Sequence, residues 1–89
     1  MGAIRKCTEN FIATVVDDEV LIVDLDGGEL FSLSGTGRAV WDAIDGTRSE
    51  EAISDQMAAA HAGEREAIAA DVAALINDLE KAALVKREG

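Results

Sequence analysis

Few side chains in this sequence have the types and spacing that catalysis needs. His61 is the only histidine, so no imidazole pair exists to hold zinc, and a Ser-His-Asp or Cys-His relay would have to rest on this one residue near a helix end. It reads as a solvated surface histidine. Cys7 is likewise the only cysteine; alone it makes neither an internal disulfide nor a thiolate metal site, and it reads as a free thiol in a loose N-terminal segment. Gly35-Thr36-Gly37 is too short for a phosphate-binding loop and lacks the Lys-Ser/Thr ending, so it reads as a turn with a helix cap. Carboxylates are abundant, but a catalytic pair needs a pocket that perturbs its acidity, and a chain of 89 residues has little core to spare for one. The chain is therefore expected to be non-catalytic, with no metal and no cofactor.

What the sequence offers instead is backbone recognition. Val20-Leu21-Ile22-Val23-Asp24-Leu25 and Glu29-Leu30-Phe31-Ser32-Leu33 read as two strands joined by an Asp26-Gly27-Gly28 turn, and the second runs straight into a helix with no later strand to pair it. An open strand edge presents unpaired N–H and C=O groups. A peptide added as a further strand satisfies them with sequence-tolerant bonds, while side-chain pockets supply selectivity. Each such bond contributes about 0.5–1.5 kcal/mol net, and a buried apolar anchor about 1.5–3 kcal/mol, against the cost of ordering a flexible peptide. Roughly micromolar or somewhat tighter binding follows.

The elements that position this edge are legible from hydrophobic period. Phe11 to Val16 and Glu19 to Leu25 are rich in β-branched and aliphatic residues and are separated by Asp17-Asp18, a hairpin turn. Val20 to Val23 is apolar at every position, which places that strand in the middle of a small sheet with both faces needing cover. On the third strand Phe31 and Leu33 share one face, toward the helices, and Leu30 and Ser32 the other. Ser34 to Gly37 offers hydroxyl caps for a first helix carrying Val40, Trp41 and Ile44, which Gly46 ends. Thr47-Arg48-Ser49-Glu50 has capping-box spacing with Thr47 at the cap, and Ile53, Met57 and Ala60 recur at helical period to about His61. Gly63 suits a left-handed helix end, and a long third helix begins at Glu64. Its stripe is Ile68, Val72, Leu75 and Leu79 with Ile76 beside them and Asp71 and Asp78 on the adjacent flank. Leu84-Val85 adds a short extension. The fold class is α+β, a three-stranded antiparallel sheet followed by three helices, as one domain over residues 1–89 with an ordered core of about 11–85.

Composition narrows the partners. Eight basic against eighteen acidic residues give a net charge of −10, which opposes any role that neutralises phosphates, so nucleic acid is not an expected partner. The acidic residues are spread along the chain and mostly solvate its surface, steering basic or neutral partners toward it. No continuous apolar span and no secretory signal are present, so a cytoplasmic chain without a membrane partner is expected.

One resemblance rests on order and spacing. The strand ending Asp24-Leu25-Asp26-Gly27-Gly28, then Leu30-Phe31-Ser32-Leu33, Thr36-Gly37, Trp41, Asp45-Gly46, and the closing run Ala70-Asp71-Val72 through Leu79 and Leu84-Val85, resembles the pyrroloquinoline-quinone synthesis protein D family. That family includes the small leader-binding proteins of lasso-peptide systems. The resemblance covers about Phe11 to Val85. Where the founding quinone-synthesis members resemble a proline-containing turn, this chain has Val23 to Gly28, which sits closer to the lasso-type and generic members and leaves the pathway open. The resemblance implies a winged-helix-like domain that binds the leader segment of a ribosomally made precursor peptide and presents it to a leader peptidase, a cyclase or a radical SAM enzyme. It also implies that the leader pairs with the backbone of Glu29, Leu30, Phe31 and Ser32 and lies against Asp71, Val72, Leu75, Ile76 and Leu79. Within that cleft Leu75 is expected to form a pocket wall and Asp78 to meet a basic leader residue. The chain is expected to be a monomer or weak homodimer.

Two other classes compete with this reading. A winged-helix DNA-binding regulator is compatible with three helices but opposed by the net charge, since the third helix sets Asp71, Asp78 and Glu80 against Arg65 and Lys81. The alternative is a non-catalytic subunit or dimerisation module that pairs through the same edge with itself or with a maturation enzyme.

Overall fold

The computed structural model describes residues 2–60 and 63–88. Strands β1 (Ile4–Lys6), β2 (Phe11–Val16), β3 (Glu19–Asp24) and β4 (Leu30–Leu33) precede helices α1 (Gly35–Ala43), α2 (Glu50–Ala60) and α3 (Arg65–Lys81), and β5 (Val85–Arg87) closes the chain. The expected α+β order of a three-stranded antiparallel sheet followed by three helices is present, in the strand order β2-β3-β4. His61, placed by the sequence at the end of the second helix and on the surface, lies outside the described residues.

The sheet follows from its turns. Asp17, at φ 56°, turns β2 into β3, and Gly28, at φ 72°, completes the turn into β4. Within that second turn the Asp24 carboxylate accepts from the Asp26 amide at 2.9 Å, and the Asp24 carbonyl accepts from Gly28 at 2.8 Å. Register pairs Ala13, Ile22 and Phe31 across one face and Ile12, Val23 and Leu30 across the other. Val20 and Ile22 are buried against the helices. β3 is the central strand, but cover on both faces is corrected to cover on one, since Val23 is 39% exposed. Helices occupy only the inner side.

The core sits where α3 meets α2, α1 and the inner sheet face. Val72, Ile76 and Leu79 of α3, Ile53 and Met57 of α2, and Val40 and Trp41 of α1 are buried together. Each fully buried aliphatic side chain contributes about 1.5–3 kcal/mol relative to exposure. Phe11 meets Trp41 edge to face at 5.2 Å between ring centroids. Ala60, expected on the α2 stripe, is exposed.

Three local expectations are corrected. The N-terminal segment is not loose: β1 pairs antiparallel with β5, Ile4 is fully buried, and Cys7 is a buried thiol 5% exposed. The cause is tertiary, for the Ile4 amide donates to Arg48 at 2.8 Å, and the Cys7 amide to Leu84 at 2.8 Å. Thr47 is not the cap of α2. Ser49 Oγ accepts the Ala52 amide at 3.2 Å, while Thr47 Oγ1 donates to Asp45 at 2.6 Å and Glu50 takes Arg87 of β5 at 2.8 Å. Ser34 stands at the N-cap of α1 without a side-chain cap bond, and α1 ends at Ala43, three residues before Gly46.

Candidate functional site: the free edge of the last sheet strand and its facing helix

The phase of β4 decides which of its backbone groups are available. Antiparallel strands alternate hydrogen-bonded and non-hydrogen-bonded pairs. The Asp24 amide donates to the Glu29 carbonyl at 2.8 Å, so the hydrogen-bonded pairs continue through Ile22–Phe31 and Val20–Leu33. Phe31 and Leu33 thus spend their amides and carbonyls on β3. Leu30 and Ser32 turn theirs outward, and among the described residues no strand pairs with β4 on that side. Of the four residues placed on the edge, Leu30 and Ser32 turn both backbone groups outward, Phe31 turns both toward β3, and Glu29 gives its carbonyl to the Asp24 amide.

Side chains alternate with the same period. Phe31 and Leu33 are half-buried and pack on the core, whereas Ser32 is exposed and Leu30 is 61% exposed on the outer face. Both inner side chains lie on the route to α3. A depression of about 330 Å3 is bounded by Glu29 and Phe31 from the strand and by Asp78, Lys81 and Ala82 from the end of α3. A second, of about 310 Å3, is bounded by Thr36, Gly37 and Val40 of α1 and by Asp71, Val72 and Leu75 of α3. Gly37 joins the two elements: a Cβ there would stand 3.7 Å from Leu33 Cδ2 and 3.9 Å from Leu75 Cδ2. That is ordinary contact, so the missing side chain leaves an apolar notch between strand and helix.

The residues named from sequence on the third helix divide by burial. Asp71 and Asp78 are exposed and Leu75 is half-buried, all three lining the depressions. Val72 is buried at the floor of the second. Ile76 and Leu79 are fully buried in the core and line neither depression. Lys81, Ala82, Thr36, Gly37 and Val40 were not singled out from sequence. The first two follow Asp78 at helical spacing of three and four residues, which is the signal that places them on its face.

The cleft is acidic. Glu29, Asp71 and Asp78 line it against the single ammonium of Lys81. Such an arrangement is suited to taking an extended peptide by its backbone and meeting a few of its side chains. Among the described residues no group of three or more His, Cys, Asp or Glu side chains is placed to hold a metal ion, and no helix is long and apolar enough to cross a membrane.

Comparison with solved structures places the fold among peptide-binding neighbours. The structure titled "TbiB1 in Complex with the TbiA(beta) Leader Peptide" superposes with a TM-score of 0.79 at 22% identity, covering 92% of this chain and 94% of that one. "Lasso peptide synthetase B1 complexed with the leader peptide" gives a TM-score of 0.79 at 18% identity, covering 94% and 98%. No curated protein sequence matches the chain. The sequence matches the family described as coenzyme PQQ synthesis protein D over residues 19–85, from the start of β3 to the start of β5. The chain belongs to the coenzyme PQQ synthesis protein D (PqqD) family.

Proposed function

We propose that this protein binds the leader segment of a ribosomally synthesised precursor peptide as a fourth strand on β4 and presents it to modifying enzymes. The observation that carries this reading is the outward phase of Leu30 and Ser32 beside a cleft walled by α3. Strand addition there pairs the leader backbone with the amides and carbonyls of Leu30 and Ser32. Alternate leader side chains then face the cleft, where Phe31, Leu75 and Val72 offer apolar surface and Asp71 and Asp78 attract a basic residue. The two structural neighbours, each titled as bound to a leader peptide, support this choice of ligand.

The role is recognition without catalysis. A leader peptidase, a cyclase or a radical SAM enzyme would take the held precursor. The test is fluorescence anisotropy with labelled leader peptides drawn from short reading frames beside this gene, titrated with the protein and with Leu75→Asp, whose folding is checked by circular dichroism. Saturable binding that the folded variant loses, a weakening of tenfold or more, supports the cleft. Equal affinity of the folded variant, or no binding of any neighbouring leader, contradicts it.

A further inference from the structure

The cleft between β4 and α3 is held differently at its two ends. At the Leu33 end the chain itself joins the walls, since β4 runs through Ser34 into α1, whose Gly37 stands between Leu33 and Leu75. At the other end β4 emerges from an exposed turn over residues 25–28, and α3 runs out at Lys81. Glu29 and Phe31 on one wall and Asp78, Lys81 and Ala82 on the other are far apart in sequence. Something else must fix their spacing.

Asn10, half-buried at the end of the single 3-10 turn Thr8–Asn10, bonds toward both walls. Its carbonyl accepts the Leu25 amide at 2.9 Å, one step beyond the Phe11–Asp24 pair of the β2–β3 ladder. Asp24 in turn donates its amide to the Glu29 carbonyl at 2.8 Å. On the other side Asn10 Nδ2 donates to the Ala83 carbonyl at 2.9 Å. Ala83 is the left-handed residue, at φ 62°, that follows Ala82 of the cleft wall. Among the described residues Asn10 alone hydrogen-bonds both to the segment leading into β4 and to the segment leaving α3. The turn that carries it is braced as well, the Asn10 amide donating to the Cys7 carbonyl at 2.8 Å and the Cys7 amide to the Leu84 carbonyl at 2.8 Å.

We infer that Asn10 is a positioning residue, whose side-chain amide sets the gap between the start of β4 and the end of α3 and, on the leader-binding reading above, the affinity for the leader. A binding site is only as precise as the bonds that fix its walls, and a looseness of about 1 Å is enough to weaken it. The chemistry requires an amide, because the Ala83 carbonyl can only accept and the group facing it must donate. Asn10→Asp keeps the size and sets a carboxylate against that carbonyl. Asn10→Ala removes the group.

The test measures the gap and the affinity separately, with the folding of each variant checked by circular dichroism. Spin labels on Glu29→Cys and Lys81→Cys, in a Cys7→Ala background, report the gap by pulsed electron paramagnetic resonance without any leader. A second pair, on Thr36→Cys and Asp71→Cys, reports the end that the chain itself closes. Asn10→Asp and Asn10→Ala are each expected to broaden or shift the first distance distribution and to leave the second unchanged, which general destabilisation would not do. In unlabelled protein each is expected to weaken binding of a neighbouring leader peptide about threefold or more. An unchanged first distribution, an equal change in both pairs, or an unchanged leader affinity overturns the inference. A first pair that responds in a protein binding no leader removes the leader reading and leaves Asn10 as the residue that sets the gap.

Discussion

The carbonyl of Ile4 accepts the Gly46 amide at 2.9 Å, so the first strand of the chain is tied to the loop that follows α1. With its own amide on Arg48 and its side chain fully buried, Ile4 is a core residue. Ile4→Ala is expected to cost about 2–5 kcal/mol, the range for truncating a buried aliphatic group. Urea denaturation measures it, and a change within about 0.5 kcal/mol, as for a surface substitution, would contradict this placement.

The end of α3 holds a residue in a conformation that suits glycine. Ala83 has φ 62°, with its amide on Glu80 at 3.0 Å and the Leu84 amide on Leu79 at 2.9 Å. A left-handed alanine costs about 1–2 kcal/mol, and glycine relieves this at some cost in unfolded-chain freedom. Ala83→Gly is expected to gain about 0.5 kcal/mol and raise Tm by about 2–4 °C. A lowered Tm by calorimetry would contradict the prediction.

Asp45 anchors the turn before α2. The Thr47 hydroxyl at 2.6 Å is the main cause holding the Asp45 carboxyl below the usual range, assisted by the Thr47 amide at 3.0 Å and the Arg48 guanidinium at 2.8 Å. A depressed folded pKa makes Asp45 stabilising above its ordinary pKa, and the contribution is lost as pH falls through the folded value. Thr47→Val removes one donor, so carboxyl NMR titration is expected to show the Asp45 pKa rising toward its ordinary value. An unchanged titration would mean that the hydroxyl does not set it.

How much of this was legible from sequence depends on range. The hairpin at Asp17-Asp18, the Asp26-Gly27-Gly28 turn and the stripe of Ile68, Val72, Leu75 and Leu79 with Ile76 beside it are local signals, and each placed its element. The β1–β5 pairing is not local. Ile4-Arg5-Lys6 and Val85-Lys86-Arg87 are three-residue strands far apart in sequence, and alone the first reads as part of a loose segment and the second as a short extension after Leu84. Ser49 and Thr47 are both hydroxyls before α2; only the claim of Asp45 on Thr47 and of Arg87 on Glu50 separates them. In the candidate site the open edge was legible, and the helix stripe was not resolved into floor and wall, because Leu75 and Ile76 are adjacent in sequence while only Leu75 lines the cleft.

Amide hydrogen exchange of the protein with and without saturating leader peptide tests the central claim most directly, because strand addition must protect particular backbone groups. The account predicts slowed exchange at Leu30 and Ser32, whose amides face outward, with Ala13 and Val15 on the opposite edge unchanged. Saturable leader binding that leaves Leu30 and Ser32 exchanging at their free rates would contradict it.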